Sequence, residues 1–250
     1  MTLLRMGEKL MKLALIADVH GNSIALDHVL EDARQQLARD FVILGDVIMM
    51  GPDPGAVLKT LHNLNPACWI KGNTDMWFEE IGDGWQPSTP IEETIHLYYK
   101  FAKERLNDDE IGFISNLPTE KALTYAGVTI LCVHGSPGSV NKGMDNSVSE
   151  DKLELMVKEV KERIVVSGHT HVPYIGQMAG KWIFNVGSTG RPFDGNNLAS
   201  YGIIDFTSGT PTFEIRRVRY PIEKTVHMAK GENLPHVDLY ARSLVSARRS

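Results

Sequence analysis

The stretch Lys12-Leu13-Ala14-Leu15-Ile16-Ala17-Asp18-Val19-His20 decides the fold: an apolar run that stops abruptly on an acid and a histidine. Four further runs end the same way. Phe41-Val42-Ile43-Leu44 leads to Gly45-Asp46, and Trp69-Ile70 leads to Gly72-Asn73. Thr129-Ile130-Leu131-Cys132-Val133 leads to His134, and Ile164-Val165-Val166 leads to Gly168-His169-Thr170-His171. Short continuous apolar runs bounded by Gly and polar residues predict parallel strands buried on both faces. Ligands of open α/β sheets gather beyond the carboxyl ends of such strands. Five endings drawn only from Asp, Asn and His therefore point to one polar site assembled from five loops.

Outward from the first run, residues Ser23 to Leu37 carry Ile24, Leu26, Val29, Leu30, Ala33 and Leu37 at helical spacing. A Gly-Pro-Asp-Pro-Gly turn at Gly51 to Gly55 precedes a second helical pattern from Ala56 to Leu64. The order β-α-β-α-β implies a parallel sheet with right-handed crossovers. Residues 76–118 break this rhythm and read as a helical insertion rich in aromatics, with Pro90 to Arg105 its clearest helix. Thr119 to Tyr125 and Gly127 to Val133 read as adjacent strands, and Glu150 to Arg163 as an amphipathic helix. After Lys181 the segments Lys181 to Val186, Ala199 to Asp205 and Thr212 to Tyr220 read as strands without helices between them. That change predicts a β meander forming a second sheet packed on the first. Residues 1–11 read as a leader or upstream-start extension, residues 12–220 as the domain, and residues 221–250 as a C-terminal tail with a helix near Val237 to Ala247.

The 250 residues are 42% hydrophobic and 23% charged, an ordinary balance for a chain that folds around its own core without disulfides. Cys68 and Cys132 both lie in apolar context and read as buried thiols of a reducing compartment, the cytoplasm. A net charge of −5 argues against a large nucleic-acid surface. No segment has the roughly 18 apolar residues of a membrane span.

Carboxylates, imidazoles and an amide carbonyl suit borderline or hard divalent ions, and no cysteine occupies any of the five strand ends. Asp18, His20, Asp46, Asn73, His134, His169 and His171 are too many donors for one four-coordinate ion. They suit two ions sharing one carboxylate. Paired ions of this kind, about 3.5–4 Å apart, clamp the attacking and leaving oxygens of a phosphoryl displacement.

In this order, Asp18-x-His20, Gly45-Asp46, Gly72-Asn73, Val133-His134 and Gly168-His169-x-His171 resemble the five blocks of the calcineurin-like metallophosphoesterases, over Lys12 to about Arg219. His20-Gly21-Asn22, Gly51-Pro52-Asp53-Pro54, His134-Gly135-Ser136-Pro137 and Asn185-Val186-Gly187-Ser188 resemble the compact bacterial and archaeal phosphodiesterase-type branch. The resemblance implies an α/β fold, a four-layer αββα sandwich of two mixed sheets. It implies one ion on Asp18, His20 and His171, another on Asn73, His134 and His169, and Asp46 between them. It implies two divalent transition-metal ions, manganese first, with iron, nickel or zinc as alternatives. The activity implied is hydrolysis of phosphodiesters or activated phosphomonoesters, on a small molecule or nucleotide, through a metal-bridging hydroxide. The resemblance leaves self-association open.

One block departs from the pattern. Many members place a histidine after the Asn, as proton donor or phosphate contact; here the order is Gly72-Asn73-Thr74-Asp75. A threonine hydroxyl can hydrogen-bond phosphate but does not act as a general acid near neutral pH. Thr74 and Asp75 therefore join Asp46, Asn73 and Asn22 as candidate catalytic residues. Asn22 reads either as a phosphate contact or as the cap of the helix starting at Ser23. His96, in the insertion, is the candidate substitute acid, and Arg191 is chemically able to pair with phosphate. The departure also supports an alternative, a non-catalytic metal-binding scaffold of the same fold, since the metallophosphoesterase-like subunit of the retromer coat lacks the same histidine. A metal-dependent amidohydrolase barrel, which also uses His-x-His pairs, needs eight βα units that the helix-poor region after Lys181 does not supply.

Overall fold

The computed structural model describes residues 11–82 and 84–249. The expected leader falls outside them apart from Met11, which packs against the inter-sheet core. The opening alternates as its periodicity demands: β1 (Lys12–Ile16), α1 (Ser23–Gln35), β2 (Asp40–Leu44), α2 (Pro54–Asn63) and β3 (Cys68–Ile70). Both helices start on side-chain caps, with Asn22 accepting from the Ala25 amide and Asp53 from the Ala56 amide. The insertion folds as α3 (Trp77–Glu80), α4 (Pro90–Lys103) and α5 (Asp108–Ser115); the latter two open on full capping boxes. Then come β4 (Glu120–Tyr125), β5 (Val128–Val133), α6 (Glu150–Val157), β6 (Ile164–Ser167), β7 (Tyr174–Met178), β8 (Lys181–Asn185), β9 (Ala199–Asp205), β10 (Thr212–Val218), α7 (Ile222–Gly231) and α8 (Val237–Ser246).

Two mixed five-stranded sheets result, ordered β10-β9-β1-β2-β3 and β4-β5-β6-β8-β7. In β1, Leu13 and Leu15 face the second sheet, while Ala14 and Ile16 face the helices. In β6, Ile164 and Val166 face the first sheet, and Val165 faces Leu153 and Val157 of α6. Both of these strands are covered on both sides, which is why each reads as an unbroken apolar run. The layers are helix, sheet, sheet, helix: the four-layer sandwich expected. Cys68 and Cys132 lie in the inter-sheet core as free thiols.

Three expectations are corrected. The strands after Lys181 do not make the second sheet as a meander. β8 pairs parallel with β6, but β9 and β10 cross back as an antiparallel hairpin onto β1. β9 is suited to that place because Tyr201 and Ile203 meet the helical layer and Ile204 meets the inter-sheet core. The helix expected over Glu150 to Arg163 ends at Val157. The tail carries two helices rather than one, and both pack on Tyr98 and Phe101 of α4.

Candidate metal centre

β1, β2, β3, β5 and β6 deliver their polar endings to one place. The Asp18–Gly21 segment runs alongside the loop after β2: Asp18 N donates to Gly45 O (3.1 Å), His20 N to Asp46 O (3.0 Å) and Gly21 N to Val47 O (2.9 Å). Asp18, His20, Asp46, His169 and His171 all hold left-handed backbone, with φ of 52°, 48°, 53°, 70° and 60°. Such non-glycine conformations each cost on the order of 1 kcal/mol and persist where surrounding structure enforces them. The two Asp/His-x-His pairs converge through these turns. An extended segment with alternate residues on one face does not occur at either pair.

The histidines are oriented from behind. Nδ1 of His20 faces Met49 O (3.0 Å), Nδ1 of His134 faces Leu44 O (2.7 Å), and Nδ1 of His171 faces Arg191 O. A carbonyl only accepts, so each Nδ1 carries a proton; Nε2 of His20 and of His171 then presents a lone pair, while Nε2 of His134 faces the Asp46 carboxylate. The Nε2 atoms crowd one another and the neighbouring oxygens. Nε2 of His20 and Nε2 of His171 are 3.1 Å apart, and His134 Nε2 is 3.1 Å from Asn73 Oδ1. His169 is turned the other way. Its Nε2 donates to Asn141 O (3.1 Å), leaving Nδ1 to face Asn73 Oδ1 at 2.9 Å. Asp18 Oδ1, fully buried, has no hydrogen-bond donor and lies 3.4 Å from His171 Nε2. Asp46 Oδ2 stands between the two groups, 3.7 Å from His20 Nε2 and 3.5 Å from His134 Nε2.

Lone pairs facing lone pairs in a buried space call for cations between them. Asp18, His20 and His171 form one group able to hold an ion, and Asp18, Asp46 and His134 another. The titration pattern follows from the same crowding. Burial and the nearby His171 pull His20 down to about 3. Burial works against the charge on His134, but Asp46 and Asp18 push it up to about 10. Burial alone would raise Asp18 and Asp46; the adjacent imidazoles, His171 for Asp18 and His134 for Asp46, hold both below the usual carboxylate range.

The remaining candidates separate. Asn73 and Thr74 line the cavity, which encloses about 320 Å³ above His20, Asp46, His169 and His171. Thr74 N donates to Asp46 Oδ1 (2.9 Å), and its buried hydroxyl has no partner. Asp75 does not reach the cavity. Its carboxylate accepts from the backbone amides of Asp46 (2.7 Å), Gly72 (2.9 Å) and Val47 (3.2 Å), tying the loops after β2 and β3 together. Burial, and then the charge of Asp46, push it up to about 7. Asn22 is likewise occupied, capping α1 through Ala25 N (3.0 Å) and donating to Gly190 O (3.0 Å). His96 contacts the rings of Trp85 and Tyr99 and is not part of the cavity lining. Three lining residues, Met50, Phe193 and Arg249, are not among the expected site residues; in sequence Arg248-Arg249 reads only as a small basic pair at the chain end. The one available signal was the cluster Gly190-Arg191-Pro192-Phe193 shortly after a strand end.

Known proteins resemble this chain in sequence and in fold. A curated phosphodiesterase, YfcE of Escherichia coli, is 28% identical over 202 residues, covering 78% of this chain and 88% of that protein. An uncharacterized protein of Methanocaldococcus jannaschii is 25% identical over 247 residues, covering 89% and 93%. In fold, the chain is similar to a metallophosphoesterase from Sphaerobacter thermophilus (TM-score 0.79, 24% identity, 96% of this chain and 100% of that one). It is also similar to a hypothetical protein from Pyrococcus horikoshii OT3 (TM-score 0.84, 19% identity, 96% and 99%). The calcineurin-like phosphoesterase superfamily domain matches residues 11–209, a span that holds every converging acceptor described above, and the chain belongs to that metal-dependent family.

Proposed function

We propose that this protein hydrolyses phosphodiesters, and activated phosphomonoesters more slowly, with two divalent ions held by residues of the 12–220 domain. One ion fits Asp18, His20 and His171; the other fits Asn73, His134 and His169; Asp46 lies between them. The observation that carries this reading is the set of opposed lone pairs, above all His20 Nε2 against His171 Nε2 and the donorless Asp18 Oδ1. When bound, such a pair of ions supplies hydroxide near neutral pH and neutralises charge on the phosphoryl oxygens.

This chain's own residues prepare the site for that. The carbonyls of Met49, Leu44 and Arg191 fix the imidazole tautomers. Asp75 holds the Asp46 and Gly72 backbones in place. Thr74 N fixes Asp46 Oδ1, and its buried, unpartnered hydroxyl lies at the cavity wall where a phosphoryl oxygen would sit. No imidazole beyond the donor set reaches the cavity among the described residues, so the leaving oxygen departs without a histidine donor. That favours diesters with acidic leaving groups. Manganese is the proposed ion, since the donors are oxygen and imidazole and availability decides among similar metals.

Two measurements test the reading. Elemental analysis after manganese reconstitution should approach two ions per chain; a value below one overturns the dinuclear assignment. The loaded protein should hydrolyse bis(p-nitrophenyl) phosphate. Two bound ions with no turnover on diesters or monoesters would instead favour the scaffold reading, which Thr74 alone supports.

A further inference from the structure

Arg191 is a buried guanidinium at the metal cavity with no ion-pair partner among the described residues. It is 8% exposed and lines the cavity that holds His20, His171 and Thr74. Its Nε has no hydrogen-bond partner, and no carboxylate among the described residues lies within ion-pair distance. A buried guanidinium normally has a carboxylate or phosphate partner, because an unpaired buried charge is costly.

Its position also separates it from the acceptors below. The guanidinium is held on the C-terminal side, with Nη2 at 3.4 Å from Ser243 Oγ, Nη1 at 3.7 Å from Met50 Sδ, and Cζ 5.5 Å from the Tyr240 ring. It therefore stands more than an ion-pair distance from Asp18 and Asp46. Phe193 stacks face to face on His171, with centroids 4.3 Å apart and planes at 6°. Two guanidiniums flank that ring, Arg191 at 5.6 Å and Arg249 at 5.5 Å. A second cavity of about 550 Å³ shares His169, Phe193 and Arg249 with the first and continues past Arg248. Arg191, Arg249 and Arg248 thus follow Phe193 away from the histidines, while one carboxylate, Asp145, lines the far wall of the second cavity and is occupied by Ser147. Ser243 and Arg249 lie beyond residues 11–209, so this wall is built partly outside the family domain.

We propose that Arg191, with Arg249 across Phe193, is a subsite for a second phosphate of the substrate, so that the favoured substrates are phosphate esters whose other arm carries a further phosphate. Arg191 supplies a desolvated guanidinium in the cavity wall, and Arg249 supplies an exposed charge at the mouth. The substrate class rests on the phosphoesterase reading above; the subsite itself does not.

The experiment uses two ligand pairs and the full chain. For binding without turnover, thymidine 5′-monophosphate and thymidine 3′,5′-bisphosphate are titrated by calorimetry into metal-free protein. For turnover, the p-nitrophenyl ester of thymidine 5′-phosphate is compared with its 3′-phosphorylated form on the loaded enzyme. A charge-assisted contact predicts about tenfold or greater preference for the doubly phosphorylated member in each pair. Arg191→Met should bring that ratio close to one, and Arg249→Gln should reduce it partway. Melting curves and metal content identify any variant that fails to fold, in which case Arg249→Gln and Arg191→Lys decide. A wild-type ratio near one, or the same ratio in the folded variants as in wild type, overturns the subsite. Equal losses on both members of a pair also overturn it, by showing that Arg191 serves the reacting phosphate or only anchors α8. Hydrolysis of neither ester with the calorimetric ratio intact defeats the phosphoesterase reading and leaves the subsite standing.

Discussion

Thr74 is the residue at which this site departs from the usual pattern, and its environment makes the consequence sharp. Its hydroxyl is buried beside the cavity without a partner, and the insertion's histidine, His96, lies against Trp85 and Tyr99. Rates should therefore fall steeply as the leaving group becomes less acidic, with p-nitrophenolate esters turned over well and alkyl monoesters poorly. Thr74→His should flatten that dependence, raising alkyl-ester rates by about tenfold or more. A wild-type rate that ignores leaving-group pKa, with chemistry shown to limit turnover, would mean that another acid is present. Gly168 offers a second test at this scale. A Cβ there would lie 2.5 Å from Asp18 Oδ2 and 2.6 Å from Ala17 Cβ. Gly168→Ala should displace Asp18 and lower metal content toward one ion while the chain still folds. Retention of two ions would show that the loop yields instead.

At the scale of elements, the parts that were legible in sequence are those whose burial leaves an unbroken pattern. β1, β2, β5 and β6 are covered on both faces, so their ends, and with them the donor residues, could be read directly. β7 alternates half-buried and exposed residues around Gly176 at a sheet edge, a pattern too short to separate from a loop. The return of β9 and β10 to the first sheet depends on long-range pairing with β1, which local periodicity does not encode. The left-handed turns at the five site residues were invisible for a related reason: surrounding hydrogen bonds impose them. That returning hairpin is clamped to α1 by Asp32, which accepts from Arg216 Nε (3.0 Å), Arg216 Nη2 (2.9 Å) and Tyr201 Oη (2.6 Å). Burial alone would raise Asp32, but the Arg216 and Tyr201 donors hold it below its usual range. A lowered folded pKa gives stability that is present above the unfolded value near 3.8 and lost as pH falls through the folded one. Asp32→Asn should therefore cost about 2 kcal/mol at pH 7 and progressively less toward pH 3. Denaturant midpoints at the two pH values measure it; a cost independent of pH would assign the effect to packing.

For the whole molecule, the question is whether the metal centre holds the fold together or the fold holds the centre. Two sheets share an apolar core of their own, and helices cover both outer faces. The metal-free protein should therefore remain folded, unlike small domains that need metal to fold. Metal should still stabilise it by linkage, about 2.7 kcal/mol at a hundredfold excess over Kd. For a chain of this size that corresponds to a melting-point rise of about 5–10 °C. The pH dependence of the rise can be signed. Without metal, the carboxylates Asp46 and Asp18 hold a proton on His134 up to about 10, against the opposing effect of burial. A folded pKa raised above the unfolded 6.5 gives stability fully present below 6.5 and lost as pH climbs toward 10. That proton occupies the place a cation would take, and binding must release it. The gap between chelated and metal-loaded melting points should thus widen steadily from pH 6.5 to pH 9. Thermal melts with and without chelator across that range check it, and His134→Gln should remove most of the slope. A gap that stays constant with pH would mean that His134 is already neutral in the metal-free protein and that the acceptors tolerate one another without a proton between them.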